Sequence, residues 1–488
     1  MADFLNDSKI TDQEKPKPAD PIQKDSDASF RNRIATMDDD GNRSWIYPKK
    51  PKGKYHRARA IVASILLAVF FFGPYIEIGG HPLLLLNVIK RQFVIFGQPF
   101  FPQDFHLFVL AMIAVFVFIL LFTVVYGRLW CGWTCPQTVF MEMVFRKIEF
   151  LIEGGPAQQK ALNKRPLDGD KFLRKSLKHS IFILISLAVS NTFVAYLIGK
   201  EAFLEKIVQS PFTSPAEFSG TLIFAGIFYL IFAKFREQAC TLVCPYGRLQ
   251  GALLDKNSIV VSYDWSRGEP RMPLKKAKTF SDPGHCIDCN NCVKVCPTGI
   301  DIRNGTQLEC VNCTACMDAC DSIMLKTKKP QGLIRYASYN SIENGGKQKL
   351  DIRMIGYTFV LVLLVGLLSF LLATRSPIET TMLRTPGTLY YRNDDGSIRN
   401  LYSLKIVNKT YNDITANVKI IEPEKATIEM IGNSPLIPSQ GVYEGACLIT
   451  LPAGSISETK TALKLEVISN GKKLESIKTS FMGPVSPR

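Results

Sequence analysis

Very apolar stretches alternate with very polar ones along this 488-residue chain. A helix needs about 20 apolar residues to cross the hydrocarbon core of a bilayer. Five stretches meet or approach that length: residues 60–78, which carry Pro74 and Glu77 near their far end, 105–126, 180–198, the shorter 220–235, and 354–373. A further apolar run, residues 83–101, holds Lys90 and Arg91 at its centre. Two central charges are costly against lipid, so this run is expected to be interfacial or re-entrant.

The rhythm changes after residue 374. "SLKIVNKT", "TANVKII", "ATIEMI" and "LKLEVI" alternate apolar and polar positions and are separated by "NDDG", "GNSP" and "SNGKK". Period-two alternation between turn signals predicts half-buried strands, and a domain of this size predicts an immunoglobulin-type β-sandwich. Cys447, in the strand-like "ACLITL", is expected in its core. The polar N-terminus, rich in Asp, Lys and Pro, reads as a disordered tail. The predicted organisation is a multidomain membrane protein with about five transmembrane α-helices. Residues 1–57 form a cytoplasmic tail and 58–235 a membrane domain with four spans and a cytoplasmic loop. Residues 236–350 form a ferredoxin-like α+β insert, 351–375 the fifth span, and 376–488 the all-β sandwich.

Charge sets the expected orientation. The formal net charge is +16. Lys49, Lys50, Lys52, Lys54, Arg57 and Arg59 precede the first span, and Arg146, Lys147, Lys164, Arg165, Arg174 and Lys175 follow the second. The segment after the fourth span is basic throughout. The loops after the first and third are poor in basic residues, with only Lys90 and Arg91, then Lys200 and Lys206. The positive-inside rule then puts the N-terminus and residues 236–350 in the cytoplasm and the sandwich in the periplasm. Because the basic residues follow this topology and form no aromatic-interleaved patch, no nucleic-acid partner is expected.

Of 13 cysteines, twelve fall in three tight groups. Cys286, Cys289, Cys292 and Cys296 have the spacing C-x2-C-x2-C-x3-C and are followed by Pro297. Cys310, Cys313, Cys316 and Cys320 repeat it, followed by Asp321. This is the spacing of two-cluster bacterial ferredoxins, in which the fourth cysteine of each motif reaches the other cluster. Cys286, Cys289, Cys292 and Cys320 are therefore expected to hold one [4Fe–4S] cluster, and Cys296, Cys310, Cys313 and Cys316 the other. Structural zinc sites use paired C-x2-C elements with longer gaps and fit this pattern badly.

The remaining four cysteines form two C-x3-C-P motifs, each directly after a span: Cys131 and Cys135 in "GRLWCGWTCPQTVF", Cys240 and Cys244 in "REQACTLVCPYGRL". They read as an internal repeat. Proline suits the first turn of a helix, so Cys135 and Cys244 are expected at helix N-termini, where the dipole favours a thiolate. In the first repeat, residues 138–152 place Val139, Met143 and Phe150 near one face and Lys147 and Glu153 at an interface. Four thiolates at one membrane surface suit Cu(I), a further iron–sulfur centre or a dithiol/disulfide couple. Met141 and Met143 are candidate thioether ligands or packing residues. His81, His106 and His179, near span ends, are candidate haem or copper ligands or packed residues, and Glu77 is a candidate for an ion path or a boundary marker.

With these residues in hand, the chain resembles the CcoG/FixG/RdxA family of cytochrome c oxidase accessory proteins. The two C-x3-C-P segments carry the resemblance, with "GEPR" at Gly268 to Arg271, "CVKVCPTGIDIRNG" and "FPQDF". It covers residues 55–340 closely and the β-rich segment in kind. It implies a bacterial inner-membrane protein that reduces Cu(II) to Cu(I) during assembly of the cbb3-type oxidase. Cys131, Cys135, Cys240 and Cys244 would handle the copper, and the partners would be an unidentified cytoplasmic electron donor and a copper chaperone or oxidase assembly component. Two other readings stay open: a quinol-linked ferredoxin-type relay to a periplasmic reductase, and a non-enzymatic redox sensor or assembly scaffold. The oligomeric state is left open.

Overall fold

The computed structural model describes residues 36, 43–78, 81–87, 92–95, 97–101, 104–209, 213–277, 283–345, 352–387, 389–432, 436–456, 459–469 and 471–484. Lys90, Arg91 and most of the expected N-terminal tail lie outside them. The chain divides into two compact units, residues 1–76 with 112–365, and residues 77–111 with 366–488.

Five helices among the described residues are long and apolar enough to cross a membrane: Lys54–Tyr75, Phe105–Tyr126, Gly169–Ile198, Pro215–Phe235 and Ile352–Ala373. The second matches its apolar run. The first begins earlier than hydropathy predicts because its cap comes from elsewhere. Asp318 accepts hydrogen bonds from the backbone N–H groups of Tyr55 (3.2 Å) and His56 (2.8 Å), satisfying donors that a helix start leaves orphaned. The third also starts early, at an Asp168 N-cap that accepts from the Lys171 N–H at 2.8 Å. Residues 43–57, expected in the tail, are held in place. Arg43 pairs with Glu237 at 3.6 Å and stacks on Trp45, and the Lys49 N–H bonds the Lys294 carbonyl at 2.7 Å.

The first unit also carries the cysteine-rich α+β domain. Val260–Tyr263 and Ile334–Ala337 pair antiparallel, and the short helix Asn291–Lys294 and the longer Ala315–Lys326 follow the two cysteine triplets. Val261, Tyr263, Met317, Met324, Leu333 and Ile334 are buried between them.

In the second unit, the described part of residues 83–101 forms three antiparallel strands, Leu84–Asn87, Gln92–Ile95 and Gln98–Phe100. The sandwich has one sheet ordered Thr427–Ile431, Val442–Leu451, Ile398–Asn408, Ile378–Arg384, and a second ordered Asn417–Glu422, Lys460–Ser469, Lys472–Met482. Tyr402, Leu404, Ile406, Ile449, Leu465 and Phe481 fill its core, with Cys447 among them. The strands of residues 84–100 are tied to this unit by Asp104, whose carboxylate is buried between Arg375 (2.5 Å) and Lys409 (2.7 Å), and by the Tyr411 hydroxyl donating to the Gly97 carbonyl at 2.8 Å. Glu77 lies on a two-residue strand and is exposed; His106 is exposed at the start of its helix.

Candidate functional site

The two cysteine triplets share an unusual backbone. Asp288 and Asn290 in the first, and Asn312 and Thr314 in the second, all have positive φ, between 48° and 63°. Asp and Asn tolerate this left-handed region; a β-branched threonine there is strained. The same two positions of each triplet are used, so each loop curls alike. Alternating right- and left-handed residues turn successive N–H groups inward, making the concave nests that surround phosphate and iron–sulfur groups.

Each loop closes on a cavity. One is lined by Cys286, Cys289, Cys292 and Cys320, with Tyr263, Arg303 and Met324. The other is lined by Cys296, Cys310, Cys313 and Cys316, with Cys292 also on its wall. Each lining set joins one triplet to the fourth cysteine of the other motif. Four thiols set around each cavity suit a multi-atom iron–sulfur cluster. Burial pushes the Cys292 and Cys310 thiols up to about 12 and Cys313 up to about 11. Loading these sites therefore releases protons as thiolates form.

The two C-x3-C-P motifs lie against the second cavity. Cys131 stands in the short helix Leu129–Trp133, and Cys135 caps the helix that starts at Pro136. Cys240 stands in a π-helical turn, Ala239–Val243, and Cys244 caps Pro245–Leu253. Cys131 packs with Val311, Cys313 and Cys316, and Cys240 lines a pocket with Thr298 and Val311. No disulfide joins any of these cysteines. Their thiols are near enough to influence one another. Burial pushes Cys240 up to about 12, helped by Cys135, Cys131 and Cys244. Burial pushes Cys131 up to about 11 against a hydrogen bond to Gln250. At Cys135 burial also wins, although the N–H groups of Gln137 and Thr138 pull the other way. The thiolate expected there from the helix terminus is thus outweighed by desolvation.

Sequence reasoning missed the residues that join the motifs. Arg59, 3% exposed, donates to the carbonyls of Gly132 (2.8 Å) and Cys313 (2.9 Å). Arg128, also buried, donates to the carbonyls of Leu308 and Gly247. Each guanidinium bridges a C-x3-C-P motif to the second ferredoxin-type loop, and such charge-assisted bonds are strong when desolvated. Glu153, expected at an interface, is buried and paired with Lys175 and Lys178. Met143 packs with Ala63 and Val139, whereas Met141 lines the pocket with Cys240. His179 Nδ1 lies 2.9 Å from the Tyr229 hydroxyl. The side chain of His81 lies outside what the structure describes.

Gly132 makes the contact between motifs close. A methyl added there would stand 2.5 Å from the Val311 carbonyl oxygen and 2.6 Å from that of Asn312. Backbone cannot yield cheaply, and overpacking of this kind costs about 1–3 kcal/mol. Gly132→Ala is expected to push Cys131 away from the buried apolar cluster that holds Val311 and Cys313. Thiol alkylation of Cys131, followed by mass spectrometry, should become faster, while the two chains remain equally folded by circular dichroism.

A transmembrane helical domain with a two-motif iron–sulfur domain and an immunoglobulin-like domain defines a membrane-bound iron–sulfur electron-transfer protein. Family models match in the same places: a 4Fe-4S dicluster domain over residues 235–339, a 4Fe-4S binding domain over 108–153, and the IG-like fold at the C-terminus of FixG over 368–484. The chain is 31% identical over 469 residues to the nitrogen fixation protein FixG of Rhizobium meliloti, covering 86% of this chain and 89% of that one. It is 33% identical over 391 residues to protein RdxA of Cereibacter sphaeroides (76% and 81% covered) and 35% over 385 to RdxB of the same organism (75% and 79%). The chain belongs to the FixG/CcoG/RdxA family.

Proposed function

We propose that this protein passes single electrons to Cu(II) and releases Cu(I) for assembly of a cbb3-type cytochrome c oxidase. Cys286, Cys289, Cys292 and Cys320 hold one [4Fe–4S] cluster in this reading, and Cys296, Cys310, Cys313 and Cys316 the other. The clusters supply one-electron storage. Everything else is done by the chain. The nests and buried thiols bind the cluster anions, and Arg59 and Arg128 fix the C-x3-C-P motifs against the second cavity. Cys131, Cys135, Cys240 and Cys244 receive copper: Cu(II) gains one electron and becomes Cu(I), which soft thiolates prefer. The observation that carries this reading is Cys131 packed against the buried apolar cluster that contains Val311 and the ligand Cys313. The inner membrane, a cytoplasmic iron–sulfur domain, a periplasmic sandwich and a copper chaperone or oxidase assembly component as receiver complete the proposal.

One observation favours a second reading of the four cysteines. The 4Fe-4S binding model covers Cys131 and Cys135, which suits a third cluster. Anaerobic iron analysis separates the two. The copper reading expects about eight irons per chain from two cubanes, and one Cu(I) retained against a competing chelator and lost on serine substitution of the four thiols. About twelve irons with no retained copper would replace it with the third-cluster reading.

A further inference from the structure

A cavity of about 570 Å³, open on one side, lies beside the second C-x3-C-P motif. Two spanning helices, Gly169–Ile198 and Pro215–Leu230, bring His179 and Tyr229 to it. Most of its charged lining is internally paired, with Lys234 as the exception. Glu153 accepts from Lys175 (2.8 Å) and Lys178 (2.9 Å). Glu149 accepts from Arg236 at 2.5 Å, with Lys178 at 3.7 Å. Lys171 donates to the carbonyls of Asn163 and Arg165. Besides Lys234, the other recognition groups are aromatic or neutral: Trp45, Tyr47, which accepts from Asn163, and the bonded pair Tyr229 and His179.

Arg236 connects this cavity to the redox centre. It lines both this space and the pocket containing Cys240, and it is buried. Its φ of 53° puts a non-glycine residue in the left-handed region. Such strain collects at functional sites, as do π-helical turns, and Arg236 sits between two of them, Ile231–Phe235 and Ala239–Val243. Buried ionisable groups at the ends of spans are costly and mark sites of transfer.

We infer that this cavity binds the ring of a membrane hydroquinone and is where electrons enter, an inference that rests on the electron-transfer reading above. A lipid-soluble carrier reaches the cavity from the bilayer between the two helices. A nicotinamide dinucleotide needs several unpaired cations for its two phosphates, and here Lys171, Lys175, Lys178 and Arg236 are engaged by Glu149, Glu153 and backbone carbonyls, leaving Lys234 alone. Oxidation of the hydroquinone to a quinone releases two electrons and both ring O–H protons. One proton passes to the His179 imidazole and the other to water at the open mouth. The two electrons leave past Arg236 towards the iron–sulfur domain, one for each cluster.

The test uses the full, cluster-loaded chain in lipid nanodiscs. A photoreactive azidoquinone should label peptides containing Trp45, Tyr47 or Tyr229, and excess hydroquinone should suppress the labelling. His179→Ala should abolish it. A short-chain hydroquinone should bleach the visible cluster absorption, roughly a hundredfold more slowly in the variant if His179 is the base; dithionite should reduce both chains alike. If His179→Ala fails to assemble, Tyr229→Phe carries the same comparison, with labelling weakened. Labelling elsewhere, suppression by anionic phospholipid but not hydroquinone, or faster reduction by NADH than by hydroquinone would overturn the inference. A dithionite-reduced protein inert towards Cu(II) would instead overturn the copper reading and leave the cavity's assignment standing.

Discussion

Cys320→Ser is expected to remove one cluster and leave the other, and Cys296→Ser to do the converse. Cys320 stands on the helix Ala315–Lys326, which continues from the second triplet, yet it lines the cavity of the first. Cys296 follows the first triplet and lines the cavity of the second. A cubane needs its thiolates, so each variant should fall from about eight irons per chain to about four. Double variants make the assignment decisive. Cys320→Ser with Cys289→Ser strikes one cavity twice and should retain about four irons, whereas Cys320→Ser with Cys313→Ser should retain almost none. Because Cys292 lies on both cavity walls, the reduced wild type should show a spin-coupled EPR spectrum, and each single variant a simple one. Four irons in the Cys320/Cys313 double variant would contradict the crosswise arrangement.

The second large effect concerns the membrane-edge thiols. Replacing Cys131, Cys135, Cys240 and Cys244 together by serine should leave the iron content at its wild-type value and abolish fast reduction of Cu(II). Outer hydrogen-bond partners alone are worth roughly 10–100-fold in metal affinity. Loss of the thiols themselves should therefore weaken Cu(I) binding by about a hundredfold or more. Stopped-flow mixing of the reduced variant with Cu(II), with Cu(I) trapped by a chelator, reads the effect. Serine keeps the size of each side chain, so the packing against Val311 and Cys313 is preserved and the loss reports on sulfur.

How far the chain can be read without its fold follows from the range of the forces involved. The spans and the cysteine spacings are local, and the sandwich strands announce themselves by alternation. The start of the first helix is not local. Its cap, Asp318, lies on the far side of the sequence. Residues 83–101 are apolar for a different reason than a span is. Leu84–Asn87 and Gln92–Ile95 are short paired strands, and two apolar strands close together in sequence resemble an interrupted membrane segment in composition. Arg59, Arg146 and Lys175 count equally as topology signals in a linear reading. Yet Arg59 is buried on the carbonyls of Gly132 and Cys313, Arg146 pairs with Glu142 at 2.8 Å, and Lys175 with Glu153. The sequence carried a hint in "GRLW" and "REQAC", where an arginine accompanies each motif, but which carbonyls or carboxylates those arginines meet is decided by tertiary packing. The helix-terminus argument for the Cys135 thiolate failed for the same reason, since burial cannot be read from a motif.

Electrons stored in the iron–sulfur domain should reach copper at the four thiols. Fully reduced wild-type protein, freed of excess reductant, should be mixed anaerobically with Cu(II) while cluster absorption and chelator-trapped Cu(I) are followed together. Two one-electron clusters predict about two Cu(I) per chain, appearing at the rate at which the clusters reoxidise. Clusters that stay reduced while Cu(II) persists, or Cu(I) that forms without cluster reoxidation, would contradict the account.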